Sequence, residues 1–193
     1  MDRGCSVGLR RIRASSRGIV RKALPMALLA ACAMPAASRA SDAFSPDEAY
    51  LDALKGSWVM VGNVGDKPVR YKAEGERVLR GGFLRLHMQD ASQPSTYEAA
   101  VFIGYDARAH DYIVHWLDQF GAAGARVVAT GARDGERLVV TFPYAEGLFR
   151  DTFTRDPAKG TWTLLLESQR ADGAWTTFAR YDMTRPTDTM RKR

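Results

Sequence analysis

The sequence predicts an all-β protein, a single antiparallel up-and-down β-barrel of about ten strands behind one short helix. Three observations predict it. From residue 57 onward, short apolar runs are separated by turn signals every 8–14 residues, the spacing of sandwiches and barrels. Several runs alternate between apolar and polar residues, so one face of each strand is buried. Only the first stretch of the domain has a helical period. The crossover helices that parallel strands need are therefore missing, and a meander remains whose closure removes exposed edges.

In chain order, the first element is an export leader. Arg3, Arg10, Arg11, Arg13, Arg17, Arg21 and Lys22 precede Ala23 to Ala37, a run without charge. That run is shorter than the roughly 20 residues a membrane span needs. A basic region, a short apolar region and a small-residue cleavage site form a bacterial-type signal peptide. Ser38-Arg39-Ala40 offers small residues at −3 and −1, giving a soluble product that begins at Ser41. Leu29-Ala30-Ala31-Cys32 also resembles a lipobox, whose cysteine would carry lipid and tether the protein to the envelope. The chain therefore divides into a signal peptide over 1–40, a linker and helix start over 41–49, a barrel over 50–185 and a frayed tail over 186–193.

The leader accounts for most of the basic character. It holds 8 of the 28 Lys and Arg residues and 1 of the 22 Asp and Glu, leaving 20 basic and 21 acidic residues and a formal charge of −1. The +6 of the whole chain is thus no sign of a nucleic-acid binder, which needs a clustered basic footprint in its folded part. Both cysteines, Cys5 and Cys32, also fall in the leader. The exported domain then has no disulfide, no thiol nucleophile and no thiolate metal ligand.

Ser45-Pro46-Asp47-Glu48 is a helix start. Serine caps the unpaired N–H groups, proline suits the first turn and the acids suit the helix dipole. Tyr50, Leu51 and Leu54 share one face, and the helix is expected to end near Lys55-Gly56. Strands are expected over 57–63, 69–79, 82–89, 96–105, 111–118, 125–131, 136–142, 147–154, 161–168 and 174–183. Turn residues lie between them, such as Asp134-Gly135 and Asp172-Gly173.

Gly56-Ser57-Trp58 follows the helix and opens the first strand. Gly81-Gly82-Phe83-Leu84, Gly104-Tyr105-Asp106, Tyr112, Trp116-Leu117-Asp118, Gly131 and Asp134-Gly135 follow it. This set resembles the DUF1579 family of exported bacterial domains, over about residues 50–185. The Gly-x-Trp element resembles that of lipocalin-like, or calycin, barrels. The resemblance implies a lipocalin-like barrel with a cavity and no agreed activity. It also implies that Trp58 lies at the closed end with a late-strand arginine over its face, Arg180 first and Arg185 second. Nitrobindin-like haem barrels, related in shape, carry an extended glycine signature after the tryptophan and a histidine near the C-terminus. Here Val59-Met60-Val61-Gly62 follows Trp58 and no histidine follows His115, so no cofactor is expected.

Candidate ligand-binding residues are Arg85, His87, His115, Trp116 and Arg150. Facing inward, Arg85, His87 and Gln89 would place a few polar groups in an apolar cavity, the usual form of a ligand site. Facing outward, they form a solvated wall. Arg150, between Phe149 and Asp151, would bind a ligand carboxylate or pair on the surface. An internal His and Arg would also serve proton transfer, with imidazole as base and guanidinium as oxyanion donor. No His-Glu-x-x-His, Gly-x-Ser-x-Gly or Walker motif occurs, and no catalytic residue is assigned. His87, His110 and His115 lack the spacing of a metal site. The expected partner is a small hydrophobic or amphipathic molecule, with the membrane involved only through a lipid on Cys32. A proton-transfer or isomerase enzyme and an envelope interaction module are the alternatives.

Overall fold

A computed structural model describes residues 45–187. The leader, both cysteines and the cleavage site after Ala40 lie outside the described residues, as does the tail from 188. The first element is α1 (Pro46–Asp52). The Glu48 N–H donates to the Ser45 hydroxyl and the Ser45 N–H to the Glu48 carboxylate, each at 3.1 Å. This reciprocal capping box satisfies donors that the helix leaves open. The helix stops at Asp52, three residues before the expected end, and Tyr50, Leu51 and Leu54 are buried.

Ten strands follow: β1 (Gly56–Val64), β2 (Lys67–Val78), β3 (Phe83–Asp90), β4 (Glu98–Asp106), β5 (Asp111–Asp118), β6 (Val128–Asp134), β7 (Arg137–Tyr144), β8 (Gly147–Asp156), β9 (Thr161–Gln169) and β10 (Trp175–Thr184). Each pairs antiparallel with the next and β10 pairs with β1, so the sheet closes into a barrel. Every expected strand is present, and two bounds are corrected. Strand β2 ends at Val78 because Leu79, Arg80 and Gly81 adopt φ values of 53°, 59° and 89°, which turn the chain out of the sheet. Strand β6 starts at Val128 because Gly124–Arg126 form a 3-10 turn.

Alternation sorts side chains to the two faces of the wall. Leu84, Leu86 and Met88 of β3, Val101 and Ile103 of β4, Val114 of β5, Leu138 and Val140 of β7 and Leu164 of β9 form a continuous inner core. The hairpins 79–82, 107–110, 135–136 and 157–160 ring the end where α1 lies. Trp58 Nε1 donates to the Leu54 carbonyl at 2.7 Å and the Tyr50 hydroxyl to the Phe153 carbonyl at 3.0 Å, locking the helix across this end. Arg133 donates to Asp47 at 2.9 Å, and Arg77 to Asp52 at 2.6 Å and to the Glu48 carbonyl at 2.7 Å. Gly75 makes the fit possible: a Cβ there would lie 2.0 Å from the Leu54 carbonyl oxygen.

At the other end the β5–β6 ladder runs only from Tyr112↔Gly131 to His115↔Val128, whereas β4 pairs with β5 as far as Ala99↔Asp118. Trp116, Leu117 and Asp118 therefore lack ladder partners in β6, and loop 119–127 covers that side.

Candidate functional site

The lower barrel is filled by side chains, as small barrels usually are. The end away from α1 holds a cavity of about 440 Å³. Its wall is built from inward positions of successive strands: Tyr71 of β2, Tyr97 leading into β4, Trp116 and Asp118 of β5, Phe142 and Tyr144 of β7, Phe149 and Asp151 of β8, and Tyr181 of β10. Lys67 and Phe120 stand at the mouth with Phe178, where the β9–β10 register shifts between Thr177 and Ala179. Phe120 is 76% exposed and Phe178 47%, so the rim is apolar as well.

The aromatic rings support one another. Tyr71 contacts Tyr97 and Tyr181, each at 5.6 Å between centroids, and Phe149 meets Phe178 edge-on at 5.4 Å. Trp116 Nε1 donates to the Tyr97 hydroxyl at 3.2 Å, fixing both rings in the wall. Burial raises the phenols of Tyr71, Tyr97, Tyr144 and Tyr181 above their ordinary range, so they remain neutral donors and acceptors.

Asp151 is the exception in this wall. It is 1% exposed, and its Oδ1 accepts no hydrogen bond. Burial pushes its carboxyl up to about 8. At neutral pH the empty cavity therefore holds mainly a protonated acid among aromatic rings.

The structure corrects most of the expected site residues, because strand parity puts them on the outer wall. With Leu84, Leu86 and Met88 inside, Arg85 and His87 face out. Arg85 pairs with Glu76 opposite it on β2, and His87 Nε2 lies 2.7 Å from Glu98 Oε1. His115 faces out between Val114 and Trp116. Its Nε2 meets the Ala125 carbonyl at 2.7 Å, so that nitrogen carries the hydrogen and the ring ties loop 119–127 to β5. Arg150 faces out too. It donates to Glu167 Oε2 at 2.9 and 2.6 Å and stacks 4.1 Å from the Trp175 ring centroid. No Arg–His pair is thus brought into the cavity, and the expected proton-transfer arrangement is absent among the described residues. Trp116 alone of the five lines the cavity.

The closing pair is corrected as well. Arg185, not Arg180, lies over Trp58, 3.5 Å from the ring centroid, and donates to the carbonyls of Lys55 at 2.8 Å and Ser57 at 3.2 Å. Arg180 faces solvent, 3.6 Å from Asp182. Among the described residues, no group of three His, Cys, Asp or Glu is arranged to hold a metal ion.

Asp151 was legible in part. Phe149, Asp151 and Phe153 share one face, which marks an acid on the apolar side of its strand.

Fold and site together define a small closed antiparallel barrel, plugged by a helix at one end and opening through an aromatic cavity at the other. No family model matches the sequence, and no curated protein matches it. Among solved structures the chain is similar to that of Rv2717c from M. tuberculosis. Sequence identity is 14%, the TM-score is 0.51, and the match covers 75% of this chain and 99% of the other. At that identity the likeness concerns the fold.

Proposed function

We propose that the chain is an exported lipocalin-like barrel, of the DUF1579 kind, that holds a small, partly apolar molecule in its aromatic cavity. The observation that carries this reading is the cavity itself. An opening of about 440 Å³ runs from exposed apolar rim residues down to Asp151, through a wall of rings with few polar groups. Preformed apolar pockets with a small number of aimed polar groups are the usual form of ligand sites. The leader-like segment over 1–40 supports export to the periplasm or beyond, with a lipid anchor on Cys32 as the envelope-bound variant.

Titration with an environment-sensitive naphthalene dye tests the reading. Expected are dye enhancement, quenching of tryptophan emission and loss of most quenching in Trp116→Phe, since Trp58 and Trp162 lie in the packed core and Trp175 stacks with Arg150 on the outer wall. An organic extract of protein purified from its native compartment, analysed by mass spectrometry, is expected to contain a stoichiometric small molecule. A protein that takes up no dye and yields no such molecule overturns the proposal.

A further inference from the structure

Ion pairs hold several of the barrel's half-buried acids. Asp47 meets Arg133 and the Tyr112 hydroxyl, Asp52 meets Arg77, and Glu167 meets Arg150. Asp151 is more deeply buried than any of these acids, yet it makes no ion pair among the described residues. A carboxyl in that position costs stability and adds nothing to the packing of the wall, where a leucine or phenylalanine would serve better. Its missing partner is a group that enters from outside.

The surroundings select the chemistry of that group. The cavity wall carries two carboxyls, Asp151 at depth and Asp118 nearer the mouth, against one cation, Lys67 at the rim. No arginine lines it. A ligand carboxylate or phosphate would be driven onto Asp151 with nothing to neutralise it. A neutral carbonyl or hydroxyl would engage the acid and leave the rings as mere apolar surface. A cation uses both features. It pairs with the carboxylate, and Trp116, Tyr97, Tyr71 and Tyr181 line the same space with aromatic rings, whose quadrupoles attract positive charge. The phenol oxygens supply further acceptors for ammonium N–H groups.

We propose that the cavity recognises a free organic ammonium, a small amine whose cation pairs with Asp151 and whose apolar body, one or two rings in size, lies against Trp116 and Tyr97. This rests on the cavity-binding reading above and gives it a chemical class. Binding has a proton balance. The empty site holds a proton on Asp151 at neutral pH; the arriving ammonium displaces it to solvent, and the ion pair forms between R–NH₃⁺ and the carboxylate. The titratable or charged groups that share the cavity with Asp151 are Tyr71 and Lys67 of β2, Tyr97, Asp118 of β5, Tyr144 of β7 and Tyr181 of β10. The four phenols are held above their ordinary range and do not change charge near neutrality. Amine affinity therefore strengthens as pH rises toward the Asp151 value, whereas a neutral hydrogen-bond acceptor, which needs the protonated acid, is nearly unaffected below that value and weakens only above it.

The test uses protein purified from the full chain and three probes of one shape, a naphthylethyl amine, the matching alcohol and the matching carboxylate. Each is titrated calorimetrically and by tryptophan quenching between about pH 6 and about pH 8.5, where the amine stays protonated. The amine is expected to bind about tenfold or more tighter than the alcohol at the upper pH, and the carboxylate weakest. Amine affinity is expected to rise by up to about tenfold per pH unit below the Asp151 value, with proton release. Asp151→Asn is expected to bind amine and alcohol alike and without pH dependence. Its retained alcohol binding shows that the cavity is intact. An alcohol that matches the amine throughout, or an amine preference unchanged in Asp151→Asn, overturns amine recognition and leaves the cavity reading standing. Absence of binding by all three probes overturns both.

Discussion

A buried carboxyl without a partner makes stability depend on pH, and the sign follows from its shift. Asp151 has its folded value near 8, above the ordinary range near 4. Between those values the native state keeps a proton that the unfolded chain has lost. Stability therefore falls as pH rises through this window and levels off above it, with a slope approaching about 1.4 kcal/mol per pH unit. Urea denaturation of wild type and Asp151→Asn from about pH 5 to about pH 8 checks this, since the variant is expected to lack the slope. Asp47 and Asp52 behave oppositely. Burial raises both, but hydrogen bonds from Tyr112 and Arg133 to Asp47, and from Arg77 and Lys55 to Asp52, outweigh it and hold both below the usual range. Their contribution is present above that range and lost only in acid, so the two effects occupy separate windows. The arginines give a second test at this scale. Arg185→Ala removes a stack on Trp58 and donors to three carbonyls, for an expected loss of about 1 to 2 kcal/mol. Arg180→Ala, losing a solvated contact with Asp182, is expected to stay within about 0.5 kcal/mol in the same denaturation series.

The elements hold together through close approaches that only particular residues allow, and the helix plug is the clearest case. Strand β2 passes beneath the end of α1 with Gly75 against the Leu54 carbonyl. Gly75→Ala places a methyl 2.0 Å from that oxygen, so the plug must move away from Trp58 and Tyr50. The expected cost is about 2 kcal/mol or more, read as a lowered melting temperature, with blue-shifted Trp58 emission reduced. The same elements explain what could be read from sequence. Ten strands were legible because Asp-Gly, Gly-Gly and Pro-containing turns punctuate alternating runs, and the Ser45 cap announced the helix. The parity of β3 is also present in Leu84, Leu86 and Met88, which puts Arg85 and His87 on the opposite face. What sequence does not carry is which distant residue crosses a closed wall. Arg185 lies beyond the last strand and reaches Trp58 only because β10 pairs with β1, and the cavity is lined by residues from β1 through β10. Both depend on register over more than a hundred residues rather than on local pattern.

At the scale of the whole molecule, closure decides how the protein meets its surroundings. The sheet closes through β1 and β10, and the described part contains no cysteine, so its integrity rests on the core and on the β1–β10 seam. The chain enters at the closed end, through Ser45 and α1, while the cavity mouth with Phe120 and Phe178 lies at the other end. The freed and the lipid-anchored forms differ in mass and in charge. Cleavage after Ala40 removes 8 basic residues and 1 acidic residue and leaves a nearly neutral protein that begins at Ser41. Processing before Cys32 instead leaves a diacylated terminus and a protein that partitions into detergent. Intact-mass measurement of protein recovered from an exporting host is expected to give the chain from Ser41 to Arg193 without added lipid. A mass that begins at Cys32 with acyl chains attached would establish the tethered form.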